Sequence, residues 1–211
     1  MTTPLTELVS SPIIPAIVIE DPRVAAAVAR ALLAGGIDCA EVTLRTPGAL
    51  EAIRLMSSET DIVVGAGTVK SVRDVEDAVA AGARFAVCPG VSAAVVRRCD
   101  ELGLPVVPGA VTASEVMQAL DLGLDLLKFF PAGTSGGSKA IAALAGPFAE
   151  VSFIPTGGVH LANLSDYLAL PNVAAVGGTW LTPMASQVAG DFVEIERLSR
   201  EALDAAKGVL V

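Results

Sequence analysis

The chain has 211 residues, 53% of them apolar, and a formal net charge of −9. The length suits one larger domain or two small ones with a sizeable core. The acidic balance argues against a nucleic-acid partner, which needs clustered Lys and Arg; a small anionic ligand is not excluded, because local groups decide that.

The opening stretch MTTPLTELVSSP lacks the basic region and long apolar run of a secretory leader. No apolar run reaches the roughly 18 residues that a membrane helix requires. Three widely spaced cysteines, Cys39, Cys88 and Cys99, come without CxxC or a histidine cluster. They read as reduced thiols of a cytoplasmic protein with no membrane partner.

Along the chain, short β-branched runs alternate with Ala-rich helical segments. Strands are expected at IIPAIVI (13–19), CAEVTL (39–44), IVVGA (62–66), RFAV (84–87), PVVP (105–108), LLKFF (126–130), SFIPT (152–156) and AAVGG (174–178). Most are continuously apolar, as parallel strands buried on both faces are. Asp21 and Pro22 read as N-cap and first residue of a helix closed by Gly35 or Gly36, and Thr46-Pro47 repeats the device. Thr112 with Glu115, and Asp191 with Glu194, have capping-box spacing. Helix-end glycines at Gly82, Gly103 and Gly123 mark a weak repeat of one βα unit. A last helix, about 191–207, carries Phe192, Ile195, Leu198, Ala202 and Ala206 on one face. No linker or low-complexity segment divides the chain. The expected architecture is α/β, a single (β/α)8 TIM barrel domain over residues 1–211. An open doubly wound sheet fits less well, because no Gly-x-Gly-x-x-Gly follows the first strand.

In such barrels the active site lies at the C-terminal strand ends. Glu41, Thr43 and Arg45 in EVTLRT alternate by two and share a face. A Glu and an Arg are costly against packed helices, so that face is the barrel interior near its mouth. Lys128 is the only one of four lysines inside an expected strand, with Phe130 two positions on. One reading is an amine whose charge is disfavoured by desolvation and a nearby cation such as Arg45, so that it attacks a carbonyl. The other is structural: a lysine paired with Glu41, or one snorkelling to the rim. PTGG after the seventh strand and GGT after the eighth offer Gly157, Gly158, Gly178 and Thr179 to a phosphate, since glycines let backbone N–H groups approach an anion closely. Pro89, Pro108 and Pro131 follow strand ends and are most simply strand stops. His160 is expected to start a helix. No group of residues has metal-ligand spacing, so neither metal nor cofactor is expected.

Taken in order, EVTLRT, GAGTV, CPG, VPG, LLKFFPA, GPF, PTGG and GGTWL resemble the 2-keto-3-deoxy-6-phosphogluconate aldolase family, class I aldolases that also handle 4-hydroxy-2-oxoglutarate. The resemblance runs from about Pro15 to the last helix. It implies a homotrimeric barrel that cleaves a 2-keto-3-deoxy acid to pyruvate and an aldehyde without a cofactor. It further implies Lys128 as Schiff-base lysine, Glu41 as general acid/base, and Arg45 and Thr68 at the pyruvate carboxylate. Phe130 matches an aromatic beside the lysine, Pro89 is counted with the substrate-facing residues, and Gly157 and Gly158 match the phosphate loop. Thr179 stands where serine is common, and Gly133 where many relatives have glutamate. The galactonate epimer and 4-hydroxy-2-oxoglutarate are alternative substrates. An isomerase using Glu41 as an enolising base, and a non-catalytic sugar-phosphate-binding barrel, are alternative classes.

Overall fold

Strands form where the apolar runs place them: β1 (Ile13–Ile17), β2 (Cys39–Thr43), β3 (Val63–Gly67), β4 (Ala86–Val87), β5 (Val106–Val107), β6 (Leu126–Phe129), β7 (Ser152–Pro155) and β8 (Val176–Gly178). The computed structural model describes Leu5 and residues 9–209; most of the stretch in which no leader was read lies outside them. Helices follow in alternation: α1 (Ala25–Ala34), α2 (Ala49–Glu59), α3 (Val72–Ala80), α4 (Ala93–Glu101), α5 (Ala113–Leu120), α6 (Gly137–Leu144), α7 (Leu164–Leu168), α8 (Met184–Ala189) and α9 (Phe192–Lys207). Every residue of β1 and β2 is buried, with helices over one face and facing side chains over the other. That two-sided burial is why the strands read as unbroken apolar runs.

All ladders among the described residues are parallel. Six strands pair in the order β5-β4-β3-β2-β1-β8, a curled half-barrel, and β6 pairs with β7 in a separate ribbon. The eight expected strands are therefore present, but regular pairing does not run unbroken around them. Between the two sheets lie single bridges, Gly109 with Lys128 and Thr156 with Gly177. The backbone of Lys128 donates to Pro108 O and accepts from Ala110 N, both at 2.8 Å. Pro105 and Pro108 flank β5 and supply no N–H, so this ladder is cut short.

Register defines an inward face. Glu41 pairs with Gly65 and Thr43 with Gly67. Gly67 pairs with Val87, which pairs with Val107, and Lys128 pairs with Ile154. Gly65 lacks a side chain because the buried Phe85 ring fills that place. On the opposite face, under the helices, Phe129 and Phe153 meet edge to face with centroids 5.9 Å apart.

The helix punctuation largely matches expectation. Asp21 caps a short 3-10 turn, Pro22–Val24, and α1 follows directly with Gly35 as its C-cap. Gly82, Gly103 and Gly123 all take positive φ, the conformation glycine adopts without a Cβ penalty. The Thr112–Glu115 capping box closes in both directions. Asp191 accepts from Glu194 N. Thr46 is a correction: α2 starts at Ala49 with Gly48 in the capping position, and the Thr46 hydroxyl instead donates to Ile19 O at 2.5 Å. On α9 the buried stripe is Ile195, Ser199, Ala202 and Ala206, so Ser199 replaces the expected Leu198. Ser199 Cβ lies where a Gly35 side chain would be, and only two small residues allow that approach of α9 to α1.

Candidate active site

Glu41 and Lys128 come from opposite parts of the sheet system and meet inside it. Lys128 Nζ lies 2.9 Å from Glu41 Oε1 and 3.4 Å from Oε2, with the two residues 4% and 2% exposed. The carboxylate fits because residue 67 is glycine: a Cβ there would overlap Glu41 Oε1. Lys128 Nζ also sits 5.2 Å from the centroid of the Phe130 ring, within cation–π range. The ring in turn packs against Gly157. Amine, carboxylate, aromatic ring and the PTGG loop thus form one contiguous group.

Arg45 is exposed at the mouth, and its Nε donates to Thr68 Oγ1 at 3.2 Å. Thr68 has φ +59, a left-handed conformation that a β-branched residue adopts only at a cost of about 1–3 kcal/mol. Such positions cluster at ligand-binding sites. Pro89 is exposed and its carbonyl packs against Gly109, where no Cβ would fit.

Gly157 and Gly158 take successive positive φ values of +87 and +83. Gly133 N donates to Gly157 O at 2.9 Å and Ala132 N to Thr156 O at 2.8 Å, so the loop after β6 is pinned to the end of β7. Thr179 is exposed and directly follows β8. Gly178 is buried and covered by the Trp180 ring, which accounts for its missing side chain. Sequence reasoning passed over Thr156, which is 5% exposed and faces Gly177. The period-two rule applied to Ser152, Ile154 and Thr156 would have turned it inward with Lys128.

Other candidates separate from this group. His160 precedes a 3-10 turn at Leu161–Asn163, its backbone N–H donating to Asn163 Oδ1 at 2.8 Å. Among the described residues no cluster of His, Cys, Asp or Glu could hold a metal. Cys39, Cys88 and Cys99 are free and buried. Burial pushes the Cys88 thiol up to about 12, with Cys99 adding to the effect and Lys128 opposing it. Burial also pushes Cys99 up to about 11, so neither is a nucleophile at neutral pH. A cavity of about 590 Å³ lies at the other strand ends, lined by Leu104, Leu126 and Ser152 among others, away from the amine.

A buried Lys–Glu pair by itself fits a structural and a catalytic lysine equally. Comparison with known proteins decides the family. A profile of KDPG and KHG aldolases matches residues 6–198. The chain belongs to the KDPG and KHG aldolase family. The KHG/KDPG aldolase of Escherichia coli K12 is 45% identical over 201 residues, 95% of this chain and 94% of its own. The KDPG aldolase of Legionella pneumophila, solved with pyruvate captured as a covalent carbinolamine intermediate, superposes with a TM-score of 0.89 at 41% identity, covering 92% of this chain and 95% of that one. The Zymomonas mobilis enzyme, solved with 3-phosphoglycerate, gives a TM-score of 0.87 at 42% identity, covering 92% and 91%. Among the described residues no helix is long and apolar enough to cross a membrane.

Proposed function

We propose that the protein is a class I aldolase, a lyase that cleaves 2-keto-3-deoxy-6-phosphogluconate to pyruvate and glyceraldehyde 3-phosphate through a Schiff base on Lys128. The observation that carries the reading is the family match over residues 6–198, and the buried Lys128–Glu41 contact, 2.9 Å long, is the group within that match that fits the chemistry. A buried ion pair recovers little more than its own desolvation cost, so stability alone is a poor reason to keep one.

The chemistry follows from the geometry. Glu41 takes a proton from the Lys128 ammonium, and the neutral amine adds to the C2 ketone. Glu41 returns that proton to the departing C2 oxygen, so that loss of water leaves an iminium beside a carboxylate, and the iminium accepts the electron pair of the C3–C4 bond. Removal of the C4 hydroxyl proton, by Glu41 directly or through water, releases the aldehyde. The remaining enamine is protonated at C3, and water hydrolyses the pyruvyl iminium to free pyruvate and lysine. Arg45, braced by Thr68, holds the substrate carboxylate and so places C2 over the amine. Phe130 and Pro89 line the path between. Backbone N–H groups of Gly157, Gly158 and Gly178, with the Thr179 hydroxyl, take the phosphate. The 3-phosphoglycerate in the Zymomonas relative's structure supports a phosphate-accepting site. The E. coli relative's name makes 4-hydroxy-2-oxoglutarate the second substrate to test.

Closure of the two sheets into a full (β/α)8 barrel, through the Gly109–Lys128 and Thr156–Gly177 bridges, belongs to the same reading. So do a single domain over 1–211, a homotrimer and a cytoplasmic location. Incubation with pyruvate and sodium borohydride, followed by peptide mass spectrometry, tests the mechanism. The expected result is a pyruvyl adduct on Lys128, absent in Lys128→Ala along with turnover. Substantial activity in folded Lys128→Ala would refute the assignment.

A further inference from the structure

The backbone carbonyls at the mouth end of β1 are each taken by a side chain from a neighbouring element. From the β2 side, Thr43 Oγ1 donates to Ile17 O at 3.0 Å and Thr46 Oγ1 to Ile19 O at 2.5 Å. Between them, Val18 O accepts from Gln187 Nε2 at 3.2 Å. The same nitrogen donates to Thr182 O at 2.9 Å. Gln187 lies on α8, beyond β8, and is 4% exposed. Thr182 N in turn donates to Thr179 O at 3.4 Å.

One primary amide therefore fastens the turn that carries Thr179 to the end of β1. Through Thr43 and Thr46, that same strand end is fastened on both sides of Arg45. An amide NH2 group has two N–H bonds and serves two carbonyls at once; a carboxylate or thioether at this place has none to offer.

We propose that Gln187 is a positioning residue that fixes the span between the carboxylate-binding end at Arg45 and the phosphate-binding end at Thr179, and so favours phosphorylated over unphosphorylated substrates. The inference rests on the aldolase reading above. A substrate held at both ends is sensitive to the span. A substrate held only at its carboxylate end is not.

The test compares wild type with Gln187→Met, which keeps length and removes the donors, and with Gln187→Glu, which keeps shape and removes them. Thermal midpoints are recorded, then kcat and KM for 2-keto-3-deoxy-6-phosphogluconate and for its unphosphorylated counterpart, 2-keto-3-deoxygluconate, which has no anionic group at the far end. Binding of 3-phosphoglycerate is measured by titration calorimetry. Loss of about one net hydrogen bond's worth of alignment should raise KM for the phosphorylated substrate roughly five- to tenfold. Its kcat and both constants for the unphosphorylated substrate should stay within about twofold, and 3-phosphoglycerate affinity should fall in step. Equal losses on both substrates, or a lowered midpoint with no split, would overturn the proposal. Should wild type turn over neither substrate, the aldolase reading fails and the calorimetry decides. Weaker 3-phosphoglycerate binding in the variants then sustains the role of Gln187, and unchanged or absent binding overturns it. Should Gln187→Met not fold, Gln187→Glu carries the same comparison.

Discussion

Glycine 67 shows how a missing side chain fixes a present one. The Glu41 carboxylate occupies the space that a Cβ at residue 67 would need. Gly67→Ala therefore pushes Glu41 off Lys128 while altering neither group chemically. With general acid–base catalysis contributing about 10²–10⁴-fold, kcat should fall at least about tenfold in a protein that still folds. Steady-state kinetics beside a thermal scan checks this, and an unchanged kcat would show that the carboxylate's position does not matter. At this scale the site was unevenly legible in the sequence. Glu41 and Lys128 stood out because charges are conspicuous in apolar strands. Thr156 and Gln187 did not, since a buried threonine or glutamine is chemically unremarkable until its partners are known.

Helix ends were legible wherever the cap is a short local motif. Thr112 and Glu115 sit three apart, and their bonds depend on nothing else in the fold. Thr112→Ala should cost about 1 kcal/mol, a drop of roughly 2–4 °C in Tm for a chain of this size. The N–H of Val111, followed by the hydroxyl and N–H of Thr112, holds the Glu115 carboxyl below its ordinary value of 4.5. The charged form is thus favoured in the folded state. Its stabilisation is complete above that ordinary value and is lost as pH falls through the lower folded value. Glu115→Gln should consequently be less stable than wild type at pH 7, with the gap closing in acid. Thermal scans at neutral and acid pH measure it, and a gap that widened in acid would contradict the sign. Thr46 is a loop tether and not a cap, and Thr-Pro alone is ambiguous between the two. Ile19 O, which decides between them, lies 27 residues away. Ser199 escaped for a similar reason: only the absence of a side chain at Gly35 admits it to the buried stripe.

Across the whole molecule, eight parallel strands could be read from continuous apolar runs because both sheet faces are covered. How the strands join could not. Pro105 and Pro108 around β5, and the two-residue lengths of β4 and β5, set where pairing thins, and hydrophobic period carries no trace of it. Assembly is further still from sequence pattern. The proposed homotrimer should sediment at three times the 21.3 kDa chain mass. Sedimentation equilibrium at micromolar concentration measures this, and a single-chain mass would remove that part of the reading.

The Lys128–Glu41 contact also implies an electroneutral cycle. In the proposed reaction the pair begins as ammonium and carboxylate, passes through amine and carboxylic acid, and reaches iminium and carboxylate. At none of these stages does the pair carry net charge. The interior is therefore not asked to solvate an isolated ion, and the reacting nitrogen changes its bonding while the electrostatic load around it stays level.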